Sequence, residues 1–304
     1  MTCMQPSGQT ASLTTKATWG GRRLEIARCE ERLVLSAIPL LDLAPLWDDL
    51  SEVPTLPVSP ALERPTTIEA PVIPGTIGSD VTAEASPWVS LSATAAHQQT
   101  GWNEVQHWYG LKGSGQTVAV IDSGIAWDHR ALGRGFGPGY RVVGGWDFAE
   151  NDPRPYDDAP AGFHGTHVSG ILAADATDRS GVAPAVDLVA LRVFDDQGRG
   201  QLDWTEQALR WVHENRLAFA SPITTVNLSL GSAWNSGTVP AWGTLEDELL
   251  QLQQDGIVVV AAAGNSFQQY QTPGLSYPAA SPYVIPVAAV NGDGQLSDFS
   301  QRHD

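Results

Sequence analysis

The sequence predicts an α/β fold of three layers, with a mainly parallel central sheet and helices on both of its faces. Three observations carry this. Short apolar runs recur from about Gln98 onward, nearly continuous rather than alternating, as strands covered on both faces must be. Stretches of helical period lie between them, the pattern of strand–helix units. Motifs rich in Gly, Asp, His and Asn fall at the ends of the runs, where open α/β sheets bind their ligands.

Residues 1–50 read as a leader or export-associated segment. Arg22 and Arg23 come first, then the mixed-charge run Arg28 to Arg32, then the uncharged stretch Leu33–Leu41, which Asp42 stops. A short amphipathic helix that stays in place accounts for the same pattern. The string LEIARCEERLVLSA is similar to Leu/Arg-rich segments that precede many exported bacterial proteins, which implies a secreted or cell-surface location. Residues 51–97 are rich in Pro, Thr, Ser and Ala, with Pro54, Pro57, Pro60, Pro65, Pro71 and Pro74. Such a stretch buries too little apolar surface to offset its ordering entropy and reads as a linker, with no periodicity of a folded pro-domain.

Residues 98–304 form the expected folded domain. Its strands are Val118–Ile121, Val142–Trp146, Leu188–Val193, Ile223–Leu230, Ile257–Ala263 and Val284–Val290. A helix over Gly165–Ala174 follows the second. Asp203-Trp204-Thr205-Glu206 has the form of a capping box, after which Trp204, Ala208, Trp211 and Val212 share one helical face. Leu245–Gln254 is a further helix.

Composition excludes several functions. Seventeen basic residues face thirty-four acidic ones, a formal net charge of −17, and lysine occurs only at Lys16 and Lys112. A phosphate backbone would be repelled, so no nucleic-acid partner is expected. No apolar run reaches the roughly 18–20 residues needed to span a bilayer. Cys3 and Cys29 are the only cysteines, so residues 30–304 hold neither a disulfide scaffold nor a thiol nucleophile. Oligomeric state is not encoded in any pattern found.

Four strand-end motifs carry the chemistry. The first strand ends in Asp122-Ser123-Gly124. This carboxylate could orient a histidine, accept a phosphoryl group, hold a metal or simply form a turn. Next comes Phe163-His164-Gly165-Thr166-His167-Val168-Ser169-Gly170, two histidines three apart on a starting helix. They could ligate zinc, but no Cys is available and no Glu lies between them as in the zinc-peptidase helix. A general base beside a structural histidine fits better. The last two motifs are Ser229-Leu230-Gly231 and Gly264-Asn265. An Asn amide at such an edge can donate to a developing oxyanion or form a turn.

Together, in this order, the strings VAVIDSGI, HGTHVSGILAA, GVAPAVDLVALRVFDDQGRGQ, VNLSLG and VVVAAAGN resemble the subtilisin-like serine proteases. YPAASPYVIPVAAV and SDFS extend the match over about residues 110–301, nearly two-thirds of the chain. The resemblance implies peptide-bond hydrolysis by an Asp-His-Ser triad on a protein or peptide substrate. It makes Asp122 the residue that orients the histidine, His164 the general base, and Asn265 an oxyanion donor. His167 then supports structure rather than chemistry. Gly198, Arg199 and Gly200 would pair with substrate backbone as an added strand. Ser229, Leu230 and Gly231 would form the opposite wall, and Ala262, Ala263 and Gly264 would line the first specificity pocket, with Ser276 near its base. No charge is found at those positions, which implies an uncharged, apolar preference. The Tyr277-Pro278 bond is a candidate cis peptide.

The sequence departs from the family in two places. No Gly-Thr-Ser string, the family's nucleophile signature, occurs in the 304 residues; the serines after Asn265 are Ser266, Ser276, Ser281, Ser297 and Ser300. The match breaks off just after Phe299-Ser300. That suggests a domain truncated before its catalytic serine, inactive as it stands, with an apolar flank of the sheet left uncovered. The family's usual calcium loop is the second departure. The matching loop Asp175–Ser180 is about two residues short, and Ala131 stands where a carboxylate is expected, so no cofactor and no strong calcium site are expected. The acidic run Glu150–Asp158 could hold a cation but reads as a solvated loop. The rival functions are a peptide-binding pseudo-protease that keeps the cleft walls without chemistry, a decayed gene product, and a zinc hydrolase using His164 and His167.

Overall fold

The computed structural model describes residues 14–19, 22–27, 67–69, 93–157, 163–176 and 180–303. Most of the predicted leader and linker lies outside them. Within the leader, β1 (Thr14–Trp19) and β2 (Arg22–Ala27) pair as an antiparallel hairpin. Within the linker stands one short strand, β3 (Thr67–Glu69). Two helices, α1 (Ala93–Gln99) and α2 (Trp102–Tyr109), lead into the domain.

The domain then runs β4 (Thr117–Asp122), β5 (Val142–Asp147), α3 (His164–Ala173), β6 (Asp187–Arg192), β7 (Arg199–Gln201) and α4 (Leu202–Asn215). There follow β8 (Ile223–Leu228), β9 (Ser232–Ser236), α5 (Glu246–Gln254), β10 (Val258–Ala262), α6 (Phe267–Tyr270), β11 (Leu275–Tyr277) and β12 (Ile285–Val287). Six strands form the central sheet in the order β12-β10-β8-β4-β6-β5, and every neighbouring pair is parallel. The expected α/β architecture is therefore present. The strand order reverses at β4, which puts a crevice at its carboxyl end.

The alternation of β4 shows how the layers form. Ala119 and Ile121 point to a core shared with Ala208, Leu209 and Val212 of α4 and Leu249 and Leu252 of α5. Val120 points the other way, into a core shared with Ala173 of α3 and with Leu188 and Ala190. Each fully buried Val, Leu or Ile side chain among these contributes about 1.5–3 kcal/mol. In α5 the first turn carries Glu246, Asp247 and Glu248, whose charges suit the positive end of the helix dipole.

Several element boundaries differ from expectation for identifiable reasons. Helix α4 starts at Leu202, with extended Gln201 as its N-cap and no side-chain cap bond, so the capping box does not form and Asp203 lies inside the first turn. Its fully buried face is Leu202, Thr205, Ala208, Leu209 and Val212, with Trp204 and Trp211 flanking it. Strand β8 stops at Leu228, because the chain turns away to pair β9 with β11. Only Ile285–Val287 of the last apolar run joins the sheet. The Tyr277-Pro278 bond is cis.

Candidate active site

The apolar run of β4 ends in a carboxylate. Asp122 is fully buried, and its Oδ1 accepts the Ser123 backbone N–H at 2.7 Å. His164 opens α3, and its Nδ1 lies 2.7 Å from Asp122 Oδ1 and 2.9 Å from Oδ2. A buried carboxylate can only accept, so Nδ1 carries the proton and Nε2 is left as the basic nitrogen.

Two glycines allow this approach. A Cβ at Gly165 would stand 2.1 Å from the Gly124 carbonyl and 3.2 Å from Asp122 Cβ, so no other residue lets α3 start so close to β4. Gly124 has φ +104, and a Cβ there would meet Pro155 O at 2.8 Å. The Asp-Ser-Gly and His-Gly-Thr-His strings thus encode one backbone junction.

Burial pulls the His164 imidazole down, but the hydrogen bond and charge of Asp122, with the charge of Asp157, outweigh it. Its pKa is raised above the ordinary histidine value, which makes it a stronger base than a free imidazole. His167, by contrast, is exposed on α3. Among the described residues no group of three or more His, Cys, Asp or Glu is placed to hold a metal ion. Residues 177–179 of the loop matching the family's calcium site lie outside the described residues.

The other candidates gather at the same end of the sheet. Asn265 is exposed just past β10, two strands from β4, so about 10 Å separates the strand ends that carry Asn265 and Asp122. Ala262, Ala263 and Gly264 lead into it. Ser276 is buried between these residues and Gly231: its N–H donates to Ala263 O at 2.8 Å and its Oγ to Ala262 O at 3.1 Å. A Cβ at Gly231 would meet Ser276 Oγ at 2.7 Å. Ser229 stays partly open and accepts from the Asn227 amide, whereas the Leu230 side chain is 1 % exposed and lies in the core, leaving only its backbone for a cleft wall.

Gly198 turns the chain at φ +73 into β7, where Gly200 bridges to Phe194. The other side of β7 is taken by β3, antiparallel, with Thr67 opposite Gln201, Ile68 opposite Gly200 and Glu69 opposite Arg199. A segment of the chain's own linker therefore occupies the edge that the sequence assigns to an added strand.

Three residues near the site were not singled out from the sequence. Gln301 ties Gly264 to β9: its N–H donates to Gly264 O, and its Nε2 donates to Trp234 O and Asn235 Oδ1. Ser123 and Asp157 link β4 to α3. The expected solvated acidic loop is only partly so, because Asp157 is 3 % exposed. Its burial follows from the Gly124 turn, which no composition signal marks. The late serines are engaged elsewhere: Ser281 Oγ donates to Glu246 and Ser300 Oγ accepts from Ala289 N–H. Among the described residues no serine hydroxyl bonds the His164 ring.

Comparison with known proteins gives one consistent result. The model of the subtilase family matches residues 113–304. Subtilisin E of Bacillus subtilis (strain 168) is 37% identical over 196 residues, covering 64% of this chain and 46% of its own length. The subtilisin of Bacillus pumilus is 37% identical over 64% of this chain and 63% of its own. M-protease of Shouchella clausii (strain KSM-K16) is 32% identical over 263 residues, 83% of this chain and 59% of its own. The chain thus spans about half to under two-thirds of the length of these relatives.

Proposed function

The chain belongs to the subtilase family, and from that premise we propose that it is a serine-type endopeptidase whose relay is Asp122–His164. The observation that carries this is the 2.7 Å bond between Asp122 and His164 Nδ1 at the crevice of the sheet. Asp122 fixes the ring and stabilises its charged form. His164 Nε2 takes the proton of a serine hydroxyl as its oxygen attacks the peptide carbonyl, then returns it to the leaving amine. Asn265 donates to the oxyanion. Substrate adds as a strand along Gly198–Gly200, opposite Ser229–Gly231; the pairing of β3 with β7 supports this, since that edge accepts an antiparallel strand. The uncharged set Gly231, Ala262, Ala263, Gly264 and Ser276 favours an uncharged side chain in the first pocket. The basic-then-apolar leader supports export from a bacterial cell.

Peptide binding without chemistry is the second reading, favoured by the strand-accepting edge of β7, which needs no nucleophile to hold an extended peptide. One experiment separates the two. The gene is read through and beyond the codon for Asp304, and the product of the whole frame is treated with a serine-directed fluorophosphonate. Labelling that is lost in His164→Ala supports the endopeptidase. No labelling of a folded product sinks it, and affinity for an extended peptide would then favour the binding protein.

A further inference from the structure

A second carboxylate stands behind the relay. Asp157 lies within the β5–α3 connection and is 3 % exposed. Its Oδ1 accepts from Ser123 Oγ at 2.9 Å, and its Oδ2 accepts from the Thr166 backbone N–H at 3.1 Å. Ser123 in turn accepts the Gly165 N–H at 2.9 Å, while its own N–H goes to Asp122. One carboxylate therefore ties the residue after Asp122 to the two residues after His164.

The connection that presents Asp157 is itself pinned. The Ile125 N–H donates to Pro155 O at 3.0 Å. Tyr156 sits edge-on to Trp127 at 4.6 Å and donates from its hydroxyl to Asp128 at 2.5 Å. Among the described residues no arginine or lysine pairs with Asp157. A buried carboxylate with a second one, Asp122, beside it is an expensive way to close a loop. Burial pushes its pKa up, and the charge of Asp122 adds to that, against the Thr166 and Ser123 hydrogen bonds that pull it down. An arrangement that costs stability but completes a network around a general base is the signature of a functional group.

We infer that Asp157 is a positioning residue for the relay: through Ser123 and the start of α3 it holds His164 in line with Asp122. This rests on the endopeptidase reading but does not need the nucleophile. Its chemistry is specific, because donors from Ser123 and Thr166 converge on both of its oxygens. An amide at this position offers only one acceptor and turns a donor toward the other partner.

The test is proton NMR of the 304-residue chain, with the His164 signals assigned by loss in His164→Gln. Asp122 from β4 and Asp157 from the β5–α3 connection are the two charges acting on that ring. In Asp157→Asn the His164 titration midpoint moves to lower pH, and the low-field Nδ1 proton shared with Asp122 weakens. A thermal melt run beside it separates this from mere loosening of the fold. An Asp157→Asn chain with an unchanged midpoint and an unchanged Nδ1 proton overturns the proposal, whatever its melting temperature. If that variant does not fold, Ser123→Ala keeps both carboxylates and breaks only the link. Weakening of the Nδ1 proton there supports the role, and an unaltered proton overturns it. Absence of any low-field His164 proton in the unsubstituted chain overturns the relay reading itself, before any variant is made.

Discussion

The two halves of the sheet are covered differently. In β4 and β6 the run Ala119–Ile121 and the run Leu188–Leu191 are all 0 % exposed, with α3 packed on one face and α4 on the other. Across β8 and β10 one face is sealed by α4 and α5, burying Val226, Leu228, Val259 and Ala261. On the opposite face Val258, Val260 and Ala262 are only half-buried, and all three residues of β12 are exposed. Asp122 and His164 belong to the first half, Asn265 and the pocket wall to the second. Geometry in the first half is set by packing from both sides. In the second it depends on turns, on the β9–β11 pair and on the Gln301 brace.

The sharpest contrast lies in the ion pairs. Arg192 ends β6, is 2 % exposed, and bonds the fully buried Asp147 at 2.5 Å as well as Asp196 at 2.6 Å. Burial disfavours its charge, yet these partners hold its pKa above the ordinary arginine value. Arg192→Ala leaves Asp147 charged and unpaired, so a loss of about 3–5 kcal/mol is expected in urea denaturation. Arg210 is 51 % exposed and bridges Glu206 on α4 to Glu248 of α5, which is 8 % exposed. Arg210→Ala should cost about 1–2 kcal/mol, because the guanidinium end is solvated while Glu248 loses a partner. Equal losses would break the comparison.

Apolar truncation probes the same difference at a smaller scale. Ile121 is 0 % exposed between two layers, whereas Ile285 on β12 is 39 % exposed. Ile121→Ala should destabilise by about 3 kcal/mol, transfer and cavity terms together. Ile285→Ala should fall within about 1 kcal/mol, since no closed core surrounds it.

These contrasts also explain what the sequence discloses. The near-continuous runs of β4 and β6 mark strands buried on both faces; β4 covers all of the expected residues and β6 all but Val193. The Asp122–His164 pair is legible because its two glycine-flanked motifs are local strings whose backbone demands Gly at 124 and 165. Asp157 is not, because its burial depends on a loop folding back against a turn thirty residues earlier in the chain. The last apolar run has the composition of a buried strand, but only three of its residues join the central sheet and those three are exposed, a fact about neighbours rather than residues. The α4 capping box fails similarly: β7 continues straight into the helix, so an extended backbone supplies the cap that Asp203 was expected to provide.

The relay gives the next comparison a pH dependence. His164 has a raised pKa in the fold, so its pairing with Asp122 adds stability while the ring is protonated. That contribution is full below the unfolded value near 6.5 and is lost as pH rises through the raised folded value. The stability gap between the parent chain and Asp122→Asn should therefore be widest below pH 6.5 and shrink above it. A gap that widens with pH in equilibrium unfolding would contradict the assignment.

The smallest change in stability is expected at β12, where the largest change in solubility should follow. Val287, Val290, Leu296 and Phe299 are 54 %, 48 %, 43 % and 38 % exposed, and Ile285 is 39 % exposed. Among the described residues β12 pairs with β10 alone, so its other edge is a template for strand addition by a second chain. Val287→Lys places a charge on that edge without opening a core. Its unfolding free energy should stay within about 0.5 kcal/mol of the parent's. Light scattering at matched concentration should nevertheless fall, because like charges oppose edge-to-edge pairing and the apolar window is interrupted. If scattering is unchanged, association proceeds elsewhere. Trp108 and Tyr109 on α2, 75 % and 70 % exposed, are then the next surface to substitute, and the half-covered sheet is not what limits solubility.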